Sequence, residues 1–157
     1  MTCLHRSEIS IDAAPERVFQ FFTDPVLLPR WLGVAARLDP RPGGEFRFAV
    51  ADGEWCVGEY VEIDPPRRVA FSWGWENETM TLPPGSSVVE VDLTAEGGGT
   101  RLTLTHRGLP DEDSLILHAD GWSRYLSRLD KVARGLEPGF DPATETPEQA
   151  RKRLEPR

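Results

Sequence analysis

Apolar and polar residues alternate through the middle of the chain, with turn residues between the alternating segments. A period of two places successive side chains on opposite faces of a strand, so these segments predict β-strands. With a first strand at residues 4–11 and a weak one at 34–39, the remaining strands are predicted at residues 45–50, 55–63, 69–75, 89–93 and 102–107. Within the segment 55–63, we assign Trp55, Val57, Glu59, Val61 and Ile63 to one face.

Helical spacing occurs on both sides of the strand-rich region. A short helix is predicted from Pro15, with Val18 and Phe22 on its apolar side, and a second from about Val26 to Leu32. The longest helix is predicted over residues 110–135, with an N-cap at Asp111 or Asp113 and a stop at Gly135. Its apolar face includes Leu115, His118, Ala119, Trp122, Tyr125, Leu126, Leu129, Val132 and Ala133, and its polar face includes Arg124, Arg128 and Lys131.

The short connections between the strands imply an antiparallel sheet with one solvated face, and the long helix would cover the other face. We therefore predict an α+β fold in a single domain over residues 1–136. Residues 137–157 are charged and rich in proline, and we expect a loosely ordered tail with one helical turn near 147–154.

The amino-acid composition and the missing sequence motifs exclude several classes of function. The net charge of −8 argues against nucleic acid as a partner, because phosphate binding requires a positive face. The sequence has no apolar run of membrane-spanning length, and Cys3 and Cys56 are expected to be reduced thiols in a cytoplasmic protein. Motifs for nucleotide binding, zinc proteases and serine hydrolases are missing, so no cofactor is predicted.

Four segments resemble the START-like, helix-grip (SRPBCC) superfamily. They are AAPERVFQFFTDPVLLPRWL, DPRPGGEFRF, GEYVEIDPPRRVAFSW and GGTRLTLTHRGLP, and Gly121-Trp122 follows in the long helix. Within the superfamily, the chain is similar to the C-terminal domain of the activator of the heat-shock-protein-ninety ATPase, over roughly residues 5–135. The resemblance implies a curved antiparallel sheet gripping the C-terminal helix, with a cavity between them. It does not imply one activity, because related domains include hydrophobic-ligand carriers and cyclases.

Aromatic side chains are the main candidates for a binding site. Bulky rings that meet between a sheet and a helix form either ordinary core or the wall of an apolar pocket. The candidate pocket residues are Phe46, Phe48, Trp55, Phe71, Trp73, Trp75, His106, His118, Trp122, Tyr125, Leu126 and Leu129.

His106, His118 and Glu59 are the polar candidates for catalysis. Strand alternation places His106 inward, and helical phase places His118 one turn before Trp122. Each histidine is either a satisfied structural group or an acid, base or ligand contact. Glu59 is either a pocket group or an exposed residue at the sheet margin. The spacing of these residues does not support a metal site.

Three functions remain open from the sequence. We expect binding of a small apolar or aromatic molecule between the sheet and the helix. The first alternative is a cyclase- or hydrolase-type enzyme that uses the same cavity with a histidine acid or base. The second is a chaperone ATPase cofactor, which the family suggests but which is disfavoured because the sequence shows no second, upstream domain. A homodimer is also left open.

Overall fold

The computed structural model describes residues 2–50, 53–77 and 82–139, and in these residues seven strands form one sheet. The strands are β1 (Cys3–Ile11), β2 (Ala35–Leu38), β3 (Glu45–Ala49), β4 (Trp55–Asp64), β5 (Arg68–Trp73), β6 (Ser87–Glu96) and β7 (Gly99–Leu109). Their order is β1-β7-β6-β5-β4-β3-β2, and every neighbouring pair is antiparallel. The helices are α1 (Pro15–Thr23) and α2 (Glu112–Ala133). This confirms the predicted α+β class.

The helix boundaries follow the signals in the sequence, with one difference. Asp111 is the N-cap of α2, and its carboxylate accepts the backbone N–H of Ser114 at 2.8 Å. Gly135 follows the helix with a φ of 82°, a backbone conformation that glycine adopts without steric cost. The predicted second short helix is only a three-residue 3-10 helix, Leu28–Arg30. A proline within this segment removes one backbone donor, which limits a longer helix there.

The two helices cover the inner face of the sheet. α2 packs chiefly against β1, and α1 contacts α2 and strands β5 to β7. The buried apolar side chains of α2 are those of the predicted face, including Trp122, Leu126 and Leu129. Apolar burial of this kind contributes about 25 cal/mol for each Å² removed from water, so it stabilises the helix far more than intrinsic helix propensity does.

Arg128 departs from the predicted polar face of α2. Its side chain is buried, and its guanidinium donates to the backbone carbonyls of Trp31 at 3.1 Å and Gly139 at 2.9 Å. Helical phase alone does not show that the 3-10 segment and the chain after α2 supply acceptors for this side chain. These hydrogen bonds tie the end of α2 to both neighbouring segments.

The assignment of alternate residues of β4 to the inner face was wrong except at Ile63, and Val61 is 53% exposed. Cys56 and Tyr60 are buried on the inner face, which places Trp55 and Glu59 on the outer face. The register with β5 shifts between Tyr60 and Glu62, so a β-bulge reverses the phase and returns Ile63 to the inner face opposite Val69. With strict alternation, Tyr60 and Ile63 would lie on opposite faces because they are three residues apart, so the bulge is needed to place both on the inner face.

Several predictions fall on residues outside the described part of the chain. These are the ordered state of residues 140–157, the helical turn near 147–154, Asp52 of the predicted hairpin and the segment 78–81. Within the described residues, neither helix combines the length and the apolarity needed to cross a membrane.

Candidate functional site

Five side chains form an aromatic–histidine cluster where β5, β7 and α2 meet. Trp73 lies at the end of β5, and its ring centroid is 5.0 Å from that of Trp122 on α2. The rings of His106 on β7 and His118 on α2 lie edge to face at 5.1 Å. Trp75, two residues beyond Trp73, packs against Trp73 at 5.7 Å with the rings perpendicular. Edge-to-face contacts of this kind are favourable between aromatic rings.

The hydrogen bonds around His106 define its tautomer. The indole N–H of Trp122 donates to Nδ1 of His106 at 3.0 Å, so Nδ1 must be the unprotonated acceptor. Nε2 therefore carries the proton and donates to Oγ of Ser87 at 2.9 Å. Ser87 in turn donates to the carbonyl of Trp73 at 2.9 Å. Both ring nitrogens of His106 are thus engaged inside the protein.

His118 carries the opposite tautomer. Its Nδ1 lies 2.8 Å from the carbonyl oxygen of Ser114, which can only accept, so Nδ1 is the protonated nitrogen. Its Nε2 accepts the indole N–H of Trp75 at 3.3 Å. This second bond lies beyond the usual 2.7–3.2 Å range for an N–H donor and is the weaker one.

Burial keeps these imidazoles neutral. Burial is the main cause that lowers the pKa of His106 to about 3, with smaller contributions from interactions with His118 and His5. Burial also lowers the pKa of His118, although its hydrogen bond to Ser114 opposes this effect. Near neutral pH the cluster therefore contains neutral hydrogen-bonding rings and no imidazolium cation.

Both histidines lie where strand alternation and helical phase placed them, with His106 fully buried and His118 almost so. Most of the other predicted pocket residues are also in the interior. Phe46 and Phe71 stack with their centroids 3.9 Å apart, and Phe48 contacts Trp73. On α2, Leu126 and Leu129 are buried, and Tyr125 is partly buried against the core.

Trp55 and Glu59 do not join these residues. Trp55 lies on the outer face of the sheet, where the guanidinium of Arg47 stacks 4.9 Å from its ring. Glu59 is exposed on the same face. The β-bulge in β4 is the physical reason for both errors. Cys56, on the inner face of the same strand, is a buried thiol whose pKa is raised by burial.

Sequence reasoning missed three inward-facing groups, of which Ser87 and His5 adjoin the cluster. Ser87 precedes the inward-facing Val89 by two residues, so strand alternation could have identified it. His5 occupies the inner face of β1, directly opposite His106 in the register, and it also follows from alternation with Ile9. Tyr60 is buried and donates to the carbonyl of Phe22 at 2.7 Å, but the bulge concealed its phase.

Three buried polar atoms on this side of the sheet lack a hydrogen-bond partner among the described residues. They are Nε1 of Trp73, Nε2 of His5 and Oγ of Ser7. A buried donor without an acceptor costs about 1–3 kcal/mol relative to its hydrated state. Across the described ranges, no group of three or more His, Cys, Asp and Glu side chains is arranged to hold a metal ion.

Comparison with known proteins agrees with this architecture. The profile of the family described as Activator of Hsp90 ATPase homolog 1-like protein matches residues 12–134, and the chain belongs to this family. An AHSA1-like protein of Rhizobium etli, solved by NMR, is 40% identical, with 93% of this chain and 91% of that chain covered and a TM-score of 0.69. The predicted resemblance to the helix-grip superfamily is therefore confirmed.

Two further relatives have similar sequences. CalU16 from Micromonospora echinospora is 30% identical over 96% of this chain and 80% of its own chain, with a TM-score of 0.66. An uncharacterized protein of Mycobacterium bovis is 30% identical over 112 residues, which cover 65% of this chain. The chain spans 63% of the length of that curated relative.

Proposed function

We propose that the chain binds a small apolar or aromatic molecule between the inner face of the sheet and α2. The observation that carries the proposal is the buried indole N–H of Trp73, which has no acceptor within the described residues and is surrounded by the rings of the aromatic–histidine cluster. Small-molecule sites typically combine apolar walls with a few polar groups that orient the ligand. Helix-grip domains that carry hydrophobic ligands use the same region of the fold.

Trp75 offers a route into this interior. It is the half-buried member of the aromatic–histidine cluster, whereas Trp73, Trp122 and both histidines are buried. Its only hydrogen bond within the cluster is the long contact to His118. Rotation of Trp75 toward solvent would break this bond and the ring contacts of Trp75 with Phe48 and Trp73, and it would expose both the Trp73 ring and Nε2 of His118.

The enzyme alternative receives no support from the geometry of His106. A general acid or base must reach the substrate proton and should titrate near the working pH. Both nitrogens of His106 are engaged by Trp122 and Ser87, and its pKa is about 3. Glu59, the other candidate, lies on the outer face. The chaperone alternative rests on the family description alone.

Titration with Nile red, a dye whose emission depends on solvent polarity, tests the proposal. We expect saturable binding to the folded protein, and Trp122→Ala should weaken it by about tenfold or more, because a large part of the wall is removed. Trp55→Ala is the matched control, because this indole lies on the opposite face of the sheet. If neither Nile red nor a broad screen of apolar compounds binds the folded wild type, the proposal is wrong.

A further inference from the structure

We propose that the ligand is a neutral, flat molecule carrying a carbonyl-type hydrogen-bond acceptor, and that the indole N–H of Trp73 donates to this acceptor. The inference rests on the proposed function, which it extends from apolar molecules in general to one chemical class. It follows from the position of one unpaired donor, from the charge state of the groups around it and from the geometry of the surrounding rings.

The other indoles of the interior already have acceptors. Trp122 donates to His106, and Trp75 donates to His118. Trp31, in the core beside α1, donates to the carbonyl of Phe21 at 3.0 Å. Trp73 is 3% exposed, yet its Nε1 has no acceptor in the described part of the chain. A ligand acceptor would therefore form a new hydrogen bond with Trp73 without displacing another acceptor from this indole.

The ligand acceptor is expected to be uncharged. The pKa values of His5, His106 and His118 are all lowered, chiefly by burial, so none of the three imidazoles on the inner side of the sheet carries a positive charge near neutral pH. A buried carboxylate or phosphate would face neutral donors and would lose most of its hydration without a compensating cation. A ketone, amide or ester oxygen needs only one donor.

The arrangement of rings favours a flat guest. Trp73 contacts Trp75 edge to face, with an interplanar angle of 90°, and meets Trp122 at 45°. If the half-buried Trp75 turns outward, Trp73 loses one edge-to-face contact with an aromatic ring. An aromatic ligand can replace this contact and place its acceptor near the indole edge.

The matched compounds fluorene and 9-fluorenone test this inference, because they share a tricyclic frame and differ chiefly in the carbonyl group. Their affinities can be measured by displacement of Nile red. For the wild type we expect fluorenone to bind about tenfold more tightly than fluorene, the effect of one good hydrogen bond to an otherwise unpaired donor. Trp73→Phe should remove this preference by weakening fluorenone binding while changing fluorene affinity less than about threefold, since a ring remains. Trp55→Phe should keep the preference.

The outcomes separate this inference from the proposed function. If Nile red and both compounds fail to bind, the proposed function itself is wrong. If both compounds bind with equal affinity, or if Trp73→Phe keeps the preference, the interior binds apolar molecules but Trp73 does not select a carbonyl.

If the Trp73→Phe variant does not fold, the inference is tested on the wild-type protein alone. Its Trp73 indole proton should move downfield with fluorenone and by much less with fluorene in a ¹H–¹⁵N spectrum. Equal shifts of this proton with fluorenone and with fluorene would overturn the inference. Equal shifts are also the result expected if a bound water already accepts the hydrogen bond of the Trp73 indole.

Discussion

The indole N–H of Trp122 donates to Nδ1 of His106 at 3.0 Å, and this bond joins α2 to the inner face of β7. It is the first of three successive hydrogen bonds, because His106 donates to Ser87 and Ser87 donates to the carbonyl of Trp73. Trp122 only donates and the carbonyl of Trp73 only accepts, whereas His106 and Ser87 each accept one bond and donate one, so the tautomer of His106 is fixed. These three hydrogen bonds hold the aromatic–histidine cluster in place, so changes to their donors or acceptors should also change the free energy of unfolding.

Trp122→Phe should lower the free energy of unfolding by about 1–3 kcal/mol, because Nδ1 of His106 would be buried without a donor while the aromatic packing is largely kept. Urea unfolding followed by circular dichroism measures the change. Trp55→Phe should cost much less, because that indole is on the outer face. Equal costs for the two variants would show that the Trp122–His106 bond adds nothing to stability.

His106→Ala should destabilise the protein more than His118→Ala. The first change leaves the buried indole N–H of Trp122 without an acceptor, at about 1–3 kcal/mol. It also removes the bond that Ser87 accepts, although Ser87 keeps its bond to the carbonyl of Trp73. The second removes the long bond from Trp75, whose half-buried indole can turn toward water, and the bond to the carbonyl of Ser114 within the same helix. Melting temperatures of the two variants give the comparison. An unchanged melting temperature for His106→Ala would indicate that this ring is not structural.

Stability should fall as the pH is lowered from about 7.5 to 5. The folded-state pKa of His106 is about 3, below its ordinary value of 6.5, so the unfolded chain binds more protons over this range. The stability contributed by such a group is present above pH 6.5 and is lost progressively below it. The loss is about 2 kcal/mol at pH 5 for each histidine that stays neutral in the folded state.

Urea titrations at several pH values measure this slope, and His106→Phe should make it shallower because one titrating group is gone. His118 and His5 also have lowered pKa values, so part of the slope should remain in that variant. Stability that stays constant or rises between pH 7 and pH 5 would contradict the neutral burial of these rings.

Glu59→Gln should leave both stability and ligand affinity nearly unchanged. The carboxylate is exposed on the outer face of β4, and such surface changes are usually within about 0.5 kcal/mol. Nile red titration and thermal melting check both quantities. A loss of binding in this variant would indicate that the ligand contacts the outer face of the sheet.

We predict that the protein does not stimulate the ATPase of the heat-shock-protein-ninety chaperone by itself. This prediction has two reasons. The net charge is −8, and the proposed binding site is in the interior and not on a surface that could dock a partner protein. A steady-state ATPase assay with micromolar protein tests this. Clear stimulation would favour the chaperone-cofactor alternative.

The sequence predicted the fold well because its signals are local and consistent. Alternation over residues 89–93 and 102–107 describes β6 and β7, and the cap at Asp111 with the stop at Gly135 describes α2. The inward positions of His106 and His118 follow from the same periods. These two assignments used only strand alternation and helical phase, so no long-range information was needed.

The errors arise where long-range contacts decide the outcome. The bulge in β4 depends on its pairing with β5, and it moved Trp55 and Glu59 to the outer face. Burial of Arg128 depends on carbonyls from the 3-10 segment and from Gly139. The unpaired state of Trp73 likewise depends on which groups other strands bring near it, and neither period nor composition reveals that.

The five tryptophan indoles report most directly on whether the interior binds an apolar molecule. Trp73, Trp75 and Trp122 belong to the aromatic–histidine cluster, whereas Trp55 is on the outer face and Trp31 is in the core beside α1. We predict that saturating fluorene shifts the three cluster indoles in a ¹H–¹⁵N spectrum and leaves Trp31 and Trp55 in place. No shift at the three cluster indoles, or a shift confined to Trp55, would contradict ligand binding between the sheet and α2.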